Sequence, residues 1–132
     1  MYPEMSLTFH GGKKVNAEWK GFTHKTDQPP EDGGDHTAPE PVDYFFVGLG
    51  ACAAHSVLSF LQKRDIPTDG LRLVLRFEKD PEEKRVAKMV QEIHLPEGFP
   101  EKYRPAVARA TRACTVKRYL EHPPEIETIV AE

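Results

Sequence analysis

The sequence predicts an α+β fold in which sheets wrap around one long, apolar central helix. Three observations carry this expectation. Tyr44 to Leu61 runs eighteen residues without Asp, Glu, Lys or Arg. Segments on both sides of it alternate apolar and polar residues, the pattern of strands with one buried face. The chain has 132 residues, a length that points to a single domain over 1–132 with a core of modest size.

Taken in order, Met5–Phe9 and Val15–Trp19 are expected as two strands joined by the turn His10-Gly11-Gly12-Lys13. Leu7 and Phe9 alternate, as do Val15, Ala17 and Trp19, and the second strand is expected to continue through Phe22. Asp27 to Pro41 reads as a loop, since QPPEDGGDHTAPEP holds four Pro and two Gly. A loop of that length is either disordered or close to function. Pro41 suits the first position of a helix, with Asp43 near the positive end of its dipole. That helix should run to about Arg64 and stop before Pro67 and Gly70, a length of about 35 Å at ~1.5 Å per residue.

Leu71, Leu73, Leu75 and Phe77 then form the clearest strand. Val86–Leu95 returns beside it after the polar turn Asp80–Lys84, with Gln91 interrupting its apolar face. A helix is expected from about Glu101 to Ala113, with Pro105 in its first turn. A further short helix covers Val116–Leu120, ended by His122-Pro123-Pro124. Ile126, Thr128 and Val130 alternate as a last strand. So small a domain covers an apolar helix incompletely, and a homodimer is expected to finish the burial.

The uncharged segment lies at the lower edge of the length needed to span a membrane. His55, Ser56 and Ser59 and the half-buried strands around it favour a buried core helix, so no membrane partner is expected. The net charge of −3 lacks the basic footprint of a nucleic-acid binder. The first ten residues carry no charged segment followed by an apolar one, which argues against a secretory signal and for a cytoplasmic protein. In that setting Cys52 and Cys114 are expected to be thiols. His10, His24, His36, Asp35 and Cys52 match no ligand spacing, so no metal is expected.

Cys52 lies in GLGACAAH, in the middle of the long helix. A buried cysteine is often an inert small hydrophobe. Here Gly48, Gly50, Ala51, Ala53 and Ala54 leave room for a chain segment or a ligand to approach closely. His55, three residues on, shares its face; it either stabilises a thiolate or is a hydrogen-bonded core histidine. Cys114 opens the short helix of ACTVKRYL, where the dipole and Lys117 and Arg118 favour thiolate; the plain alternative is a helix cap without chemistry.

Together, PVDYFFVGLGACAAH on a long helix after a Pro-rich loop, two strands, and then RACTVKRYL resemble the OsmC/Ohr family, the osmotically inducible and organic hydroperoxide resistance proteins. Pro41, Asp43, Leu49 and Cys52 match a family motif close to P-x-[ED]-L-x-x-x-x-L-x-x-C. Cys114, Val116 and Leu120 match C-P-V-x-x-x-L. The resemblance implies an OsmC-like fold and an intertwined homodimer with sites at the subunit interface. It implies a thiol-dependent peroxidase in which Cys52 attacks an organic hydroperoxide and Cys114 resolves the sulfenic acid to a disulfide. A dithiol reductant restores both thiols, with no cofactor. Tyr44, Phe45, Phe46 and Leu49 are the expected apolar substrate pocket.

Three positions depart from the family pattern. No arginine precedes Arg64, although Lys13, Lys14, Lys20 or Lys25 offers a cation. Val42 stands where peroxidatic members place a glutamate, leaving Glu40, Asp43 and His55 as possible auxiliary groups. Thr115 replaces the proline after the second cysteine. A stress or binding protein with a small hydrophobic ligand in its pocket, and a redox sensor that uses the cysteines without turnover, are the alternative readings.

Overall fold

A computed structural model describes residues 3–132. The chain divides into two compact units, one up to Val47 and the other Gly48–Glu132.

The first unit holds a three-stranded antiparallel sheet, β1 (Ser6–Phe9), β2 (Val15–Trp19) and β3 (Phe22–Thr26), in the order β1-β2-β3. The strand expected to continue through Phe22 breaks instead after Trp19. Lys20 and Gly21 take φ of 51° and 82°, a two-residue reversal of the kind that matches strand twist, and Trp19 pairs with Phe22. The Pro-rich loop is built around Asp27, which is 1% exposed. Its carboxylate accepts the Gln28 N–H at 2.8 Å, the Thr37 N–H at 3.0 Å and the Thr37 hydroxyl at 2.7 Å. These bonds, that of the Thr37 hydroxyl foremost, hold the Asp27 carboxyl well below the usual carboxylate range. The His36 N–H donates to the Gln28 carbonyl at 3.0 Å. Gly34 packs so tightly on that carbonyl that a Cβ there would lie 1.9 Å from its oxygen. A 3₁₀ turn, Pro30–Asp32, fills the middle of the loop.

Helix α1 spans Pro41–Lys63, within one residue of its expected end. Pro41 supplies a pre-set φ at the first position. Asp43 accepts the Glu40 N–H at 2.9 Å and donates its own N–H to the Glu40 carbonyl at 3.0 Å. That reciprocal pair satisfies a donor the helix start would otherwise leave open. By length and composition α1 resembles a membrane span. In the second unit it is a core element: Leu49, Ala53, Val57, Phe60 and Leu61 are buried, the spacing of one helical stripe.

Against that stripe lies the hairpin of β4 (Arg72–Lys79) and β5 (Val86–His94). Leu71, Leu73, Ile93 and Leu95 cover Val57, Phe60 and Leu61, and Val107 and Phe99 close the cluster. At Gly50 the hairpin comes close to the helix, since a Cβ there would sit 3.2 Å from Leu75 Cδ2. Gln91 stands opposite Leu75 in the ladder. Its place on an apolar face is explained by a polar neighbour, Lys117 Nζ at 3.4 Å from its Oε1.

The helix expected over Glu101–Ala113 is segmented. A 3₁₀ turn at Glu101–Tyr103 leads into α2 (Arg104–Ala110), and a second turn at Thr111–Ala113 leads out of it. Pro105 lies in the first turn of α2, where its missing N–H has no intrahelical role. Helix α3 is Thr115–Glu121, with Cys114 at its N-cap. The expected last strand is absent: Ile126, Thr128 and Val130 lie in chain without regular structure, with Ile126 85% and Val130 94% exposed. Alternation alone does not form a strand, because its N–H and C=O groups need a ladder partner; among the described residues none pairs with this segment.

Candidate redox site

Cys52 and Cys114, separated by 62 positions, are joined by a disulfide with their Cα atoms 5.7 Å apart, inside the usual range for such bonds. The pair stands here in its oxidised form, the disulfide that the family resemblance implies. Each cysteine is delivered by a helix feature. Cys52 comes from the middle of α1, one residue before the buried Ala53. Cys114 comes from the N-cap of α3, where the backbone turns extended, with φ −68° and ψ 128°.

The two sulfurs have different surroundings. Cys114 is buried at 1% exposure. Cys52 is half-buried and lines a cleft of about 500 Å³. Ser56, Ser59 and Lys63 follow Cys52 along the same helix face, at i+4, i+7 and i+11, and all line the cleft. Phe60, Ala110 and Ala113 form its apolar part, and His55, exposed, stands at its rim. The cleft is therefore mixed in character, with an apolar wall and a hydroxyl-bearing one.

The cations in this cleft are Lys63 and Arg64, three helical turns from Cys52, about 17 Å along the axis. Arg64, just past the end of α1, is held there by Phe60: its guanidinium lies 3.6 Å from the Phe60 ring centre and donates to the Phe60 carbonyl at 3.1 Å. What stands next to the Cys52 sulfur is a backbone group. The Val116 N–H, in the first turn of α3, points at Cys52 Sγ with an N···S distance of 3.5 Å. An N–H so placed favours a negative charge on that sulfur once the disulfide is reduced.

Lys117 is engaged elsewhere, donating to the Thr111 carbonyl at 3.1 Å and to Gln91 Oε1 at 3.4 Å. It ties the turn before Cys114 to β5. Sequence reasoning placed the dipole and this lysine at Cys114; the structure gives the N–H to Cys52 and makes the lysine a brace. The α3 start was visible as a helix N-terminus, but which sulfur it faces is set by tertiary packing.

Of the other candidates, Glu40 and Asp43 are bonded to each other at the start of α1. Tyr44 and Phe45 belong to the first unit, where the Tyr44 hydroxyl donates to the Lys25 carbonyl at 2.6 Å and its ring meets His24 edge-on. Leu49 is buried and lines a second cleft, not the one beside Cys52. Lys14 pairs with Asp35 at 2.6 Å.

The model of the OsmC-like protein family matches residues 33–129. No curated protein matches the chain at a significant level. Among solved structures, a Psychrobacter arcticus protein assigned to osmotic stress induction and the detoxification response is similar with a TM-score of 0.74 at 17% identity, over 89% of this chain and 88% of that one. An organic hydroperoxide resistance protein OsmC from Legionella pneumophila is similar with a TM-score of 0.61 at 18% identity, over 91% and 90%. A Vibrio cholerae protein assigned to organic hydroperoxide resistance, with captopril in one of its active sites, is similar with a TM-score of 0.57 at 20% identity, over 93% and 88%. At these identities the structures share the fold. The family match spans most of the sequence and both cysteines: the chain belongs to the OsmC-like protein family.

Proposed function

We propose that this protein is a thiol-dependent peroxidase that reduces organic hydroperoxides. The single observation that carries the reading is the asymmetric disulfide. Cys52 opens onto a cleft and Cys114 is buried directly behind it. In the reduced protein the Cys52 thiolate attacks the hydroperoxide oxygen distal to the organic group. The O–O bond breaks, the alkoxide leaves and takes a proton to become the alcohol, and Cys52 becomes a sulfenic acid. The Cys114 thiolate attacks that sulfur and expels hydroxide, which leaves as water, forming the disulfide. An external dithiol then returns both sulfurs to thiols and is itself oxidised to a disulfide.

The chain's own groups support these steps. The Val116 N–H favours thiolate at Cys52, and the buried Cys114 is close enough to capture the sulfenic acid before a second peroxide oxidises it further. Reduction by dithiols suits a cytoplasmic setting. The reading of one OsmC-like domain over 1–132 is supported by a family match that crosses the boundary between the two units. A homodimer is supported by exposed apolar residues that want cover: Val42, Phe45 and Val47 on α1 and Ile126, Ile129 and Val130 in the tail.

The test is peptide mass mapping of the dithiol-reduced protein before and after one equivalent of cumene hydroperoxide, alongside turnover assays. We expect the peroxide to regenerate the Cys52–Cys114 disulfide. Cys52→Ser should lower turnover roughly a thousandfold or more. Cys114→Ser should react once and accumulate sulfenic or sulfinic acid at Cys52. Two free thiols after exposure would sink the proposal.

A further inference from the structure

A second cleft, of about 630 Å³, is lined by α1, β5, α2 and α3 and does not include either cysteine. Its size falls in the range of small-molecule sites, roughly 300–1,000 Å³. Its chemistry is one-sided. Lys88, Arg112 and Lys117 line it, and no Asp or Glu does. Lys88 and Arg112 make no ion pair among the described residues. Lys117 places two of its three N–H donors on the Thr111 carbonyl and Gln91 Oε1, which fixes the ammonium in the wall with a donor to spare. The apolar part comprises the buried Leu49, the half-buried Met89 and Leu120, which is 54% exposed.

Three like charges around a concave surface without a carboxylate raise the local concentration of anions. The apolar part discriminates among them, since a bare hydrated ion covers none of it. We infer that this cleft binds a small amphipathic anion. Its carboxylate or phosphate headgroup lies among Lys88, Arg112 and Lys117, and its hydrocarbon body lies over Leu49, Met89 and Leu120. The site is separate from the cleft at Cys52, and its occupancy does not depend on peroxidase chemistry.

Isothermal titration of the oxidised protein at low salt tests this with four probes: decanoate, decyl phosphate, decanol and inorganic phosphate. Saturable binding of one or both decyl anions is expected, with decanol and inorganic phosphate each at least tenfold weaker. The stronger of the two anions identifies the headgroup, and either result supports the site. The exposed pair Lys88→Gln/Arg112→Gln should weaken the decyl anions at least tenfold and leave decanol unchanged. Leu120→Gln, on an exposed position of α3, should weaken the decyl anions and leave inorganic phosphate unchanged. The inference is overturned if neither anion saturates, if decanol binds as tightly, or if the double variant binds the anions as the parent does.

Discussion

Asp27 shows how one carboxylate can organise a loop that sequence alone leaves ambiguous. The run of Pro and Gly from Gln28 to Pro41 reads as unstructured or functional. In the structure it is closed by three hydrogen bonds to one buried side chain. Because those bonds favour the ionised form, the Asp27 carboxyl titrates below its ordinary range. The stability this adds is fully present above the unfolded value near ~3.9 and is lost as pH falls through the lower folded value. Asp27→Asn should therefore melt at a lower temperature than the parent at pH 7, with the gap steady down to about pH 5 and closing in stronger acid. Thermal melts across that range check it, and a gap unchanged at pH 2 would contradict the assignment. At the same scale, the cysteine pair was legible from two motifs. The Val116 N–H beside Cys52 was not, since a backbone donor leaves no residue-type signature and its direction depends on how α3 docks.

Among the elements, α1 was the most legible, because its start, its apolar run and its stop at Pro67 and Gly70 all agree. Its two glycines have different reasons to be there. A Cβ on Gly48 meets nothing within 4 Å, whereas one on Gly50 presses on Leu75. Gly48→Ala should stabilise the protein by about 0.8–1 kcal/mol through helix propensity. Gly50→Val should destabilise it by about 1–3 kcal/mol through overpacking against β4. Urea unfolding of both variants with the disulfide intact measures the difference, and equal effects would refute the close approach. The sequence reading failed where pairing decides. Lys20-Gly21 lacks the Asn-Gly signal of a tight hairpin, so the sequence predicts a strand that runs on through Phe22 where the chain in fact reverses. Ile126–Val130 has the alternation of a strand but finds no ladder partner among the described residues.

At the level of the whole molecule, the α+β class followed from the alternation of the flanking segments, and the long central helix from its uncharged run and its end signals. The second cleft did not, because it arises from which faces of α1, β5, α2 and α3 are left uncovered within the second unit. The disulfide has a further consequence here. It ties the middle of α1 to the start of α3 across 62 residues, so it restricts the unfolded chain by up to about 4 kcal/mol in the chain-entropy model. Reduction should lower the melting temperature by roughly 10 °C at fixed protein concentration. Differential scanning fluorimetry with and without dithiol checks this, and coincident curves would show that the bond does not constrain the unfolded state. Where cleavage follows the population of opened chain, the reduced form is degraded first. Protein lifetime then follows oxidation state: on the proposed chemistry, peroxide that closes the bond would also protect the molecule that met it, and copies left idle in the reduced state would be cleared sooner.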